Sequence, residues 1–250
     1  TLLDRNHRVP RRNRDAVARA VQQGAYFALS TGRPFRWIEP VLEQLTVRPV
    51  CVTSNGAVLY DSAEDRVMSA HELSPAALAE VVDVAQTVLG TVGFGAERAG
   101  GSLGDAVEDL FVVERHYSEN ALFEGFGVVS MGELVGQPAV KFLIRNTDYS
   151  APKLYELIAP HIDPELAHLT YSMQEGILEV AAPNVTKRRG VEWLAEHTGV
   201  AQQETIAFGD MPNDIEMLRW AGCGVAMENA HPEVKAAADA VTVANHQAGV

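Results

Sequence analysis

The sequence predicts an α/β protein in which a parallel-sheet core domain is interrupted by an inserted α+β domain. Three observations carry this. Residues 10 to 61 read helix, strand, helix, strand, and residues 183 to 250 resume the same alternation, which is the order that right-handed crossovers in a parallel sheet require. Between them lie short strand-like runs with a different texture. The chain has 250 residues and 47% hydrophobic content, enough for a large core in one domain or two. The texture favours two, with residues 1–72 and 183–250 as the core and 73–182 as the insertion.

Taken in order, Pro10 to Gly24 sets Ala16, Val17, Ala20 and Val21 on one helical face, with Gly24 as the stop. Ala25 to Ser30 reads as a strand. Thr31-Gly32-Arg33-Pro34 is a tight turn into a second helix, with Phe35, Ile38, Val41, Leu42 and Leu45 as its apolar face. The strand Val50 to Thr53 ends in Ser54-Asn55-Gly56-Ala57, and Asn-Gly is more often hairpin chemistry than a ligand site.

Val58 to Leu73 reads as short strands, after which Ser74-Pro75 opens a helix with Leu78, Val81, Val82, Ala85 and Leu89 on one face. Gly90 to Gly104 reads equally as a loop or as a strand pair broken by glycines. Leu110 to Val113, Val128 to Met131 and Val140 to Ile144 are strand candidates, and Tyr149 to Ile158 is a helix. Leu169 to Ser172 and Ile177 to Val180 form a strand pair through Met173-Gln174-Glu175-Gly176.

After Pro183 come a helix from Thr186 to Thr198, a strand Thr205 to Phe208, a helix Asp214 to Ala221, a strand Gly224 to Met227, a helix Pro232 to Ala238 and a strand Ala240 to Val243. Thr205 to Phe208 has the composition of a buried parallel strand, and Gly209 lets the backbone turn where it ends.

The formal net charge of −13 argues against a nucleic-acid surface, because phosphate backbones demand clustered Lys and Arg. Cys51 and Cys223 sit in apolar strand-like runs as buried thiols rather than a disulfide framework, and a reducing cytoplasm fits them. No apolar run reaches the roughly 18 residues of a spanning helix, so no membrane partner is expected.

Ligands of open α/β sheets bind outside the carboxyl ends of the strands. Three such ends carry small polar groups: Thr31 with Gly32, Asn55 with Gly56, and Asp210 with Asn213 and Asp214. A hydroxyl and the N–H groups of a glycine turn before a helix suit a phosphate oxygen. Two carboxylates and an amide in one turn suit a hard cation such as Mg²⁺. Lys187, Arg188 and Arg189 occupy the first turn of a predicted helix, where the macrodipole disfavours cations by a few tenths of a kcal/mol each, so an anion nearby is expected.

Gly209-Asp210-Met211-Pro212-Asn213-Asp214 resembles the G-D-x-x-N-D motif of the haloacid dehalogenase superfamily. Ser30-Thr31-Gly32-Arg33-Pro34, Ser54-Asn55-Gly56-Ala57, Lys187 and Gly224-Val225-Ala226-Met227-Glu228-Asn229-Ala230 resemble its Cof-type hydrolase branch. Each motif alone is permissive; together, in this order, they are specific. The resemblance implies a Rossmann-like core with an α/β cap, and a Mg²⁺-dependent phosphatase acting on a small phosphorylated metabolite, a sugar phosphate or related phosphomonoester, through an aspartyl-phosphate. It implies that Thr31 bonds the transferring phosphoryl group, Lys187 neutralises charge on it, Asp210 ligates the metal, Asp214 supports the metal directly or through water, and Asn213 orients the loop. Gly32, Arg33 and Asn55 from the core, and Glu97, Lys141 and Ser172 from the cap, are candidate substrate contacts.

The family's first motif, D-x-D-G-T, supplies the nucleophilic and the acid/base Asp. This sequence begins at Thr1, matching the motif's last letter, so neither carboxylate is among its residues, and Asp4 falls beyond the motif. The expectation is a truncated sequence rather than a pseudoenzyme, with these residues alone catalytically dead. Alternative readings are a phosphomutase of the same superfamily, a non-catalytic phosphometabolite-binding protein, and a receiver-like signalling domain, which lacks so large an insertion. A monomer or small homo-oligomer is expected.

Overall fold

The structure, a computed structural model, describes all 250 residues. Its elements follow in chain order. Helix α1 (Arg11–Gln22) precedes β1 (Leu29–Ser30), α2 (Glu39–Leu42), β2 (Val50–Thr53), β3 (Val58–Asp61), β4 (Arg66–Ala70) and α3 (Pro75–Leu89). Next come β5 (Gly93–Glu97), α4 (Val107–Leu110), β6 (Phe111–Val113), α5 (Arg115–Glu119), β7 (Gly127–Val128), α6 (Met131–Val135), β8 (Lys141–Arg145) and α7 (Ala151–Ile158). The chain continues through β9 (His168–Thr170), β10 (Ile177–Ala181), α8 (Lys187–Thr198), β11 (Ile206–Gly209), α9 (Ile215–Trp220), β12 (Cys223–Ala226), α10 (Pro232–Ala237) and β13 (Ala240–Val241). No helix is long and apolar enough to cross a membrane.

The chain divides into two compact units, Thr1–Met68 with Thr186–Val250, and Ser69–Val185. In the first, β1 runs parallel to β2, and β2 turns back antiparallel into β3, with β4 beyond it. The Asn-Gly stretch is thus a hairpin turn as well as a strand end. A separate sheet holds β11, β12 and β13, all parallel. Helix α8 packs Leu194, Val191 and Trp193 against Val52 and Leu59. Leu218 of α9 and Val234 of α10 cluster with Ala226 and Met227 at the end of β12.

The structure corrects several details. The strand at Ala25 to Ser30 shrinks to its last two residues, and Tyr26 is 74% exposed. The second helix is two pieces, a 3-10 turn at Phe35–Trp37 and then α2. Pro40 explains the break: it has no N–H to continue a helix begun at Phe35, but it fits the first turn of a new one. Strand β11 is not buried, since β12 is its neighbour on one side and Ile206 is 60% exposed.

In the inserted unit six strands form one sheet in the order β7-β6-β5-β8-β10-β9. Apart from the parallel β6–β7 pair, its ladders are antiparallel. Period-two alternation puts Phe94, Ala96, Phe142, Ile144, Leu178 and Val180 on one face, all buried. Helix α7 packs on β10, and α3, opened by the Ser74 cap, packs on α7. The opposite face carries Glu97, Lys141 and Glu179. The Gly90 to Gly104 stretch resolves into β5 followed by a loop, and Val128 to Met131 into β7 and the start of α6.

Candidate active site

Thr31 follows β1 and Ser54 follows β2, and because these strands are parallel, with Ser30 opposite Val52, both turns leave the sheet at the same end. Main-chain bonds lock them together. Thr31 N–H donates to the Val52 carbonyl (2.9 Å), Ser54 N–H to that of Arg33 (2.9 Å) and Asn55 N–H to that of Thr31 (3.0 Å). The Thr31 hydroxyl oxygen accepts from Arg33 N–H at 3.1 Å, and the Arg33 side chain is exposed. Ser54, Asn55 and Gly56 all have positive φ (50°, 58° and 102°). Asn and Gly tolerate that region best.

Helix α8 is seated on this turn by glycines. A side chain at Gly56 would overlap the Thr186 carbonyl, and one at Gly190 would come within 2.8 Å of Gly56 Cα. Thr186 caps the helix by accepting from Arg189 N–H at 3.3 Å. Lys187 is therefore held at the first position of α8, only 8% exposed.

The third turn follows β11. Asp214, 2% exposed, accepts at Oδ2 from the N–H groups of Asp210 (2.9 Å) and Met211 (3.0 Å), and at Oδ1 from Lys187 Nζ (2.6 Å). One carboxylate thus closes the loop and anchors the lysine, so the anion expected near Lys187 is Asp214. This also corrects the reason for Gly209, whose φ is not positive. A Cβ there would lie 2.6 Å from Asp214 Cβ, so the position needs space rather than a sharp turn. Asn213 Nδ2 donates to Asn55 Oδ1 at 3.1 Å, while its own Oδ1 is buried without a partner.

Asp210 at the end of β11 accepts from the Thr1 hydroxyl and pairs with the Thr1 ammonium at 3.0 Å. Burial pushes its carboxyl pKa up, but the Thr1 ammonium, the Thr1 hydroxyl and the Lys187 ammonium outweigh that and leave it below the ordinary aspartate value. The contact with Thr1 had no signal in periodicity or turn chemistry.

A cation fits this loop chemically. The Asp210 and Asp214 carboxylates supply the oxygen donors a hard cation takes, and Asn213 Oδ1 on the same loop is buried without a partner. No group of three or more His, Cys, Asp or Glu side chains gathers as a metal cluster. Both Asp214 oxygens accept hydrogen bonds, one from Lys187 and one shared by the two loop amides.

Thr31, Gly32, Asn55, Lys187, Asp210, Asn213 and Asp214 are thus joined through these three turns and α8, all in the first unit. Glu97, Lys141 and Ser172 lie in the inserted unit. Lys141 Nζ pairs with Glu179 Oε2 at 2.6 Å, the Ser172 hydroxyl donates to Glu179 Oε1, and Glu97 stands opposite Lys141 in the ladder. Glu179 went unnoticed in the sequence; the alternation of Leu178 and Val180 puts it on the other face, beside Lys141, and was the available signal.

Parallel strands whose carboxyl ends converge on a lysine–carboxylate cluster form the ligand-binding end of an open α/β sheet. The whole chain, residues 1–250, matches the haloacid dehalogenase-like hydrolases. The chain belongs to that family, in its Cof-type branch, and is a haloacid-dehalogenase-like phosphatase. It is similar to the 5-amino-6-(5-phospho-D-ribitylamino)uracil phosphatase YitU of Bacillus subtilis, 26% identical over 100% of this chain and 91% of the relative. It also resembles the putative phosphatase YxeH of the same organism, 28% identical over 100% of this chain and 92% of that protein. A solved structure of a haloalkanoate-superfamily phosphatase from Bacteroides thetaiotaomicron superposes with a TM-score of 0.81 at 20% identity, covering 100% of this chain and 88% of that one, and shares the fold.

Proposed function

We propose that this phosphatase hydrolyses small phosphorylated metabolites, sugar phosphates or related phosphomonoesters, with Mg²⁺ and through an aspartyl-phosphate. The observation that carries the reading is the buried Lys187–Asp214 pair, which fixes an ammonium and the Asp210 loop as one unit at the strand ends. An ammonium in a site shielded from water stabilises charge on a transferring phosphoryl group by several kcal/mol. The Thr31 hydroxyl and the Gly32 N–H are the donors for a phosphoryl oxygen. Arg33, whose side chain is exposed, is positioned to meet an incoming anion.

Asp210 would hold Mg²⁺, with Asp214 supporting it directly or through water and Asn213 orienting the loop; the ion when bound would add positive charge to the site. Asp214 holds the Lys187 Nζ in place and keeps the Asp210 loop closed. Asp214 holds three donors and Asp210 faces Thr1, so neither is the nucleophile. We assign attack and acid/base work to the carboxylates of a D-x-D-G motif, the family's first motif. A carboxylate nucleophile splits hydrolysis into two displacements.

Substrate choice is assigned to the inserted unit, acting as a cap, with Glu97, Lys141 and Ser172 as the first residues to vary. YitU and YxeH are named as phosphatases, which supports the reaction class for this chain. The test is a screen of the complete protein for inorganic phosphate release across sugar phosphates, nucleotides and cofactor phosphates in Mg²⁺. Steady release is the expected result. Binding without any release would establish the non-catalytic reading, and transfer back to the sugar without net release the mutase reading.

A further inference from the structure

The motif Gly224 to Ala230 has no part in the phosphoryl-transfer reading above, and its hydrogen bonds give it one. Its turn is fastened to the Asp210 loop twice: Met227 N–H donates to the Gly209 carbonyl at 3.0 Å, and His231 N–H to that of Asp210 at 3.2 Å. Within the same turn, Asn229 Oδ1 accepts from Asn245 N–H at 2.9 Å, and Asn245 Nδ2 donates to the Leu3 carbonyl at 2.7 Å. We propose that Asn245, seated by Asn229, is a positioning residue that fixes residues 1–3 against the Asp210 loop and so places the attacking carboxylate. This rests on the mechanism above, in which the first motif, whose last letter Thr1 matches, supplies that carboxylate.

Residues 1–9 lie outside any helix or strand, so their place is set by bonds from elsewhere. Asn245 is built to supply one. It opens a 3-10 turn, Asn245–Gln247, directly after Ala244, which is 1% exposed. Its Oδ1 accepts from His246 N–H at 2.9 Å, which leaves Nδ2 as the face toward Leu3. The Asn229 oxygen takes the first N–H of that turn, a donor that a helical turn cannot satisfy by itself. The residues that follow are tied down as well: Ala248 N–H donates to the Asn245 carbonyl at 3.2 Å, and the Thr242 hydroxyl to that of Gly249 at 2.8 Å. Leu3 and the Asp210 loop thus hang from one turn, and the Thr1 hydroxyl donates to Asp210 where the two attachments meet. A displacement of about 1 Å can cost a reacting pair about a hundredfold in rate.

Asn245→Asp and Asn229→Asp, in the complete protein with its D-x-D-G motif, test this because they make the same change of charge. The first replaces the donor to Leu3 by an acceptor; the second keeps the acceptor for Asn245 N–H. Phosphate release in Mg²⁺ is measured on variants whose circular dichroism matches the wild type. Asn245→Asp, and Asn245→Ala without the charge, are expected to lower kcat about 10–100-fold with KM within about twofold, the pattern of lost geometry rather than lost binding. Asn229→Asp is expected to keep most of kcat and Asn229→Ala to lose part of it, a rescue that a merely structural role would not give. Trypsin cleavage after Arg5 and Arg8, both exposed, reads the segment itself and is expected to be about fivefold faster in Asn245→Ala, the factor one net hydrogen bond carries. Wild-type kcat in folded Asn245→Ala overturns the proposal even where cleavage quickens. So does a fall in kcat without faster cleavage, or an equal loss in the two aspartate variants. If the wild type itself releases no phosphate, the mechanism falls and this proposal with it.

Discussion

At the scale of residues, Asp214 does the most with the fewest atoms: three hydrogen bonds tie Lys187, Asp210 and Met211 to one buried carboxylate. Removing it strands an ammonium at a helix N-terminus, where neither solvent nor the dipole compensates. Asp214→Ala is expected to cost about 3–5 kcal/mol, the scale for breaking a buried pair from one side, as read by urea denaturation. Asp210 supplies a pH dependence. In the polypeptide that begins at Thr1, whose ammonium faces it, its folded pKa lies below the unfolded one, so its contribution to stability is complete above about pH 4 and is lost as pH falls through the lower folded value. A carbon-13 titration of its carboxyl should show that depressed midpoint. The residue types were legible because carboxylates and a lysine at strand and helix ends are unusual. Which carboxylate binds which donor was not, since residues 187 and 214 are distant in sequence and meet only in the fold.

At the scale of elements, the seat of α8 controls the position of Lys187. Gly190→Ala would push a methyl against Val52 and Gly56 and shift the helix from the Asn55 turn. The expected outcome is a stability loss of about 1–3 kcal/mol by denaturation, with a fall in phosphatase activity larger than that loss explains. The span of α8 was readable because Thr186 caps it and Gly199, at φ 72°, ends it in the left-handed conformation. Helix α6 carried an equally plain signal, the Ser130–Glu133 capping box, but the run Val128 to Met131 that overlaps its start reads as a strand. The exposure of Ile206 had no local signal at all. A strand's composition does not say whether it has neighbours on both sides.

At the scale of the whole molecule, alternation of helices and strands marked the core, and its loss after Val58 marked the insertion. The insertion's own order, β7-β6-β5-β8-β10-β9, was not readable, since antiparallel pairing across loops is set by long-range packing. Chemistry follows the same division. A polypeptide of these 250 residues, which hold no D-x-D-G motif, is expected to release no phosphate in parallel assays where one that carries the motif does.

The measurement that bears most directly on the central claim is inorganic phosphate release from a phosphomonoester panel in Mg²⁺, comparing the complete protein with Lys187→Ala and Asp210→Asn. The expected result is steady turnover that falls by about 10²–10³ or more in each variant, with circular dichroism unchanged. Near-normal turnover in either variant would contradict the assignment of the Lys187–Asp214–Asp210 loop as the phosphoryl-transfer site.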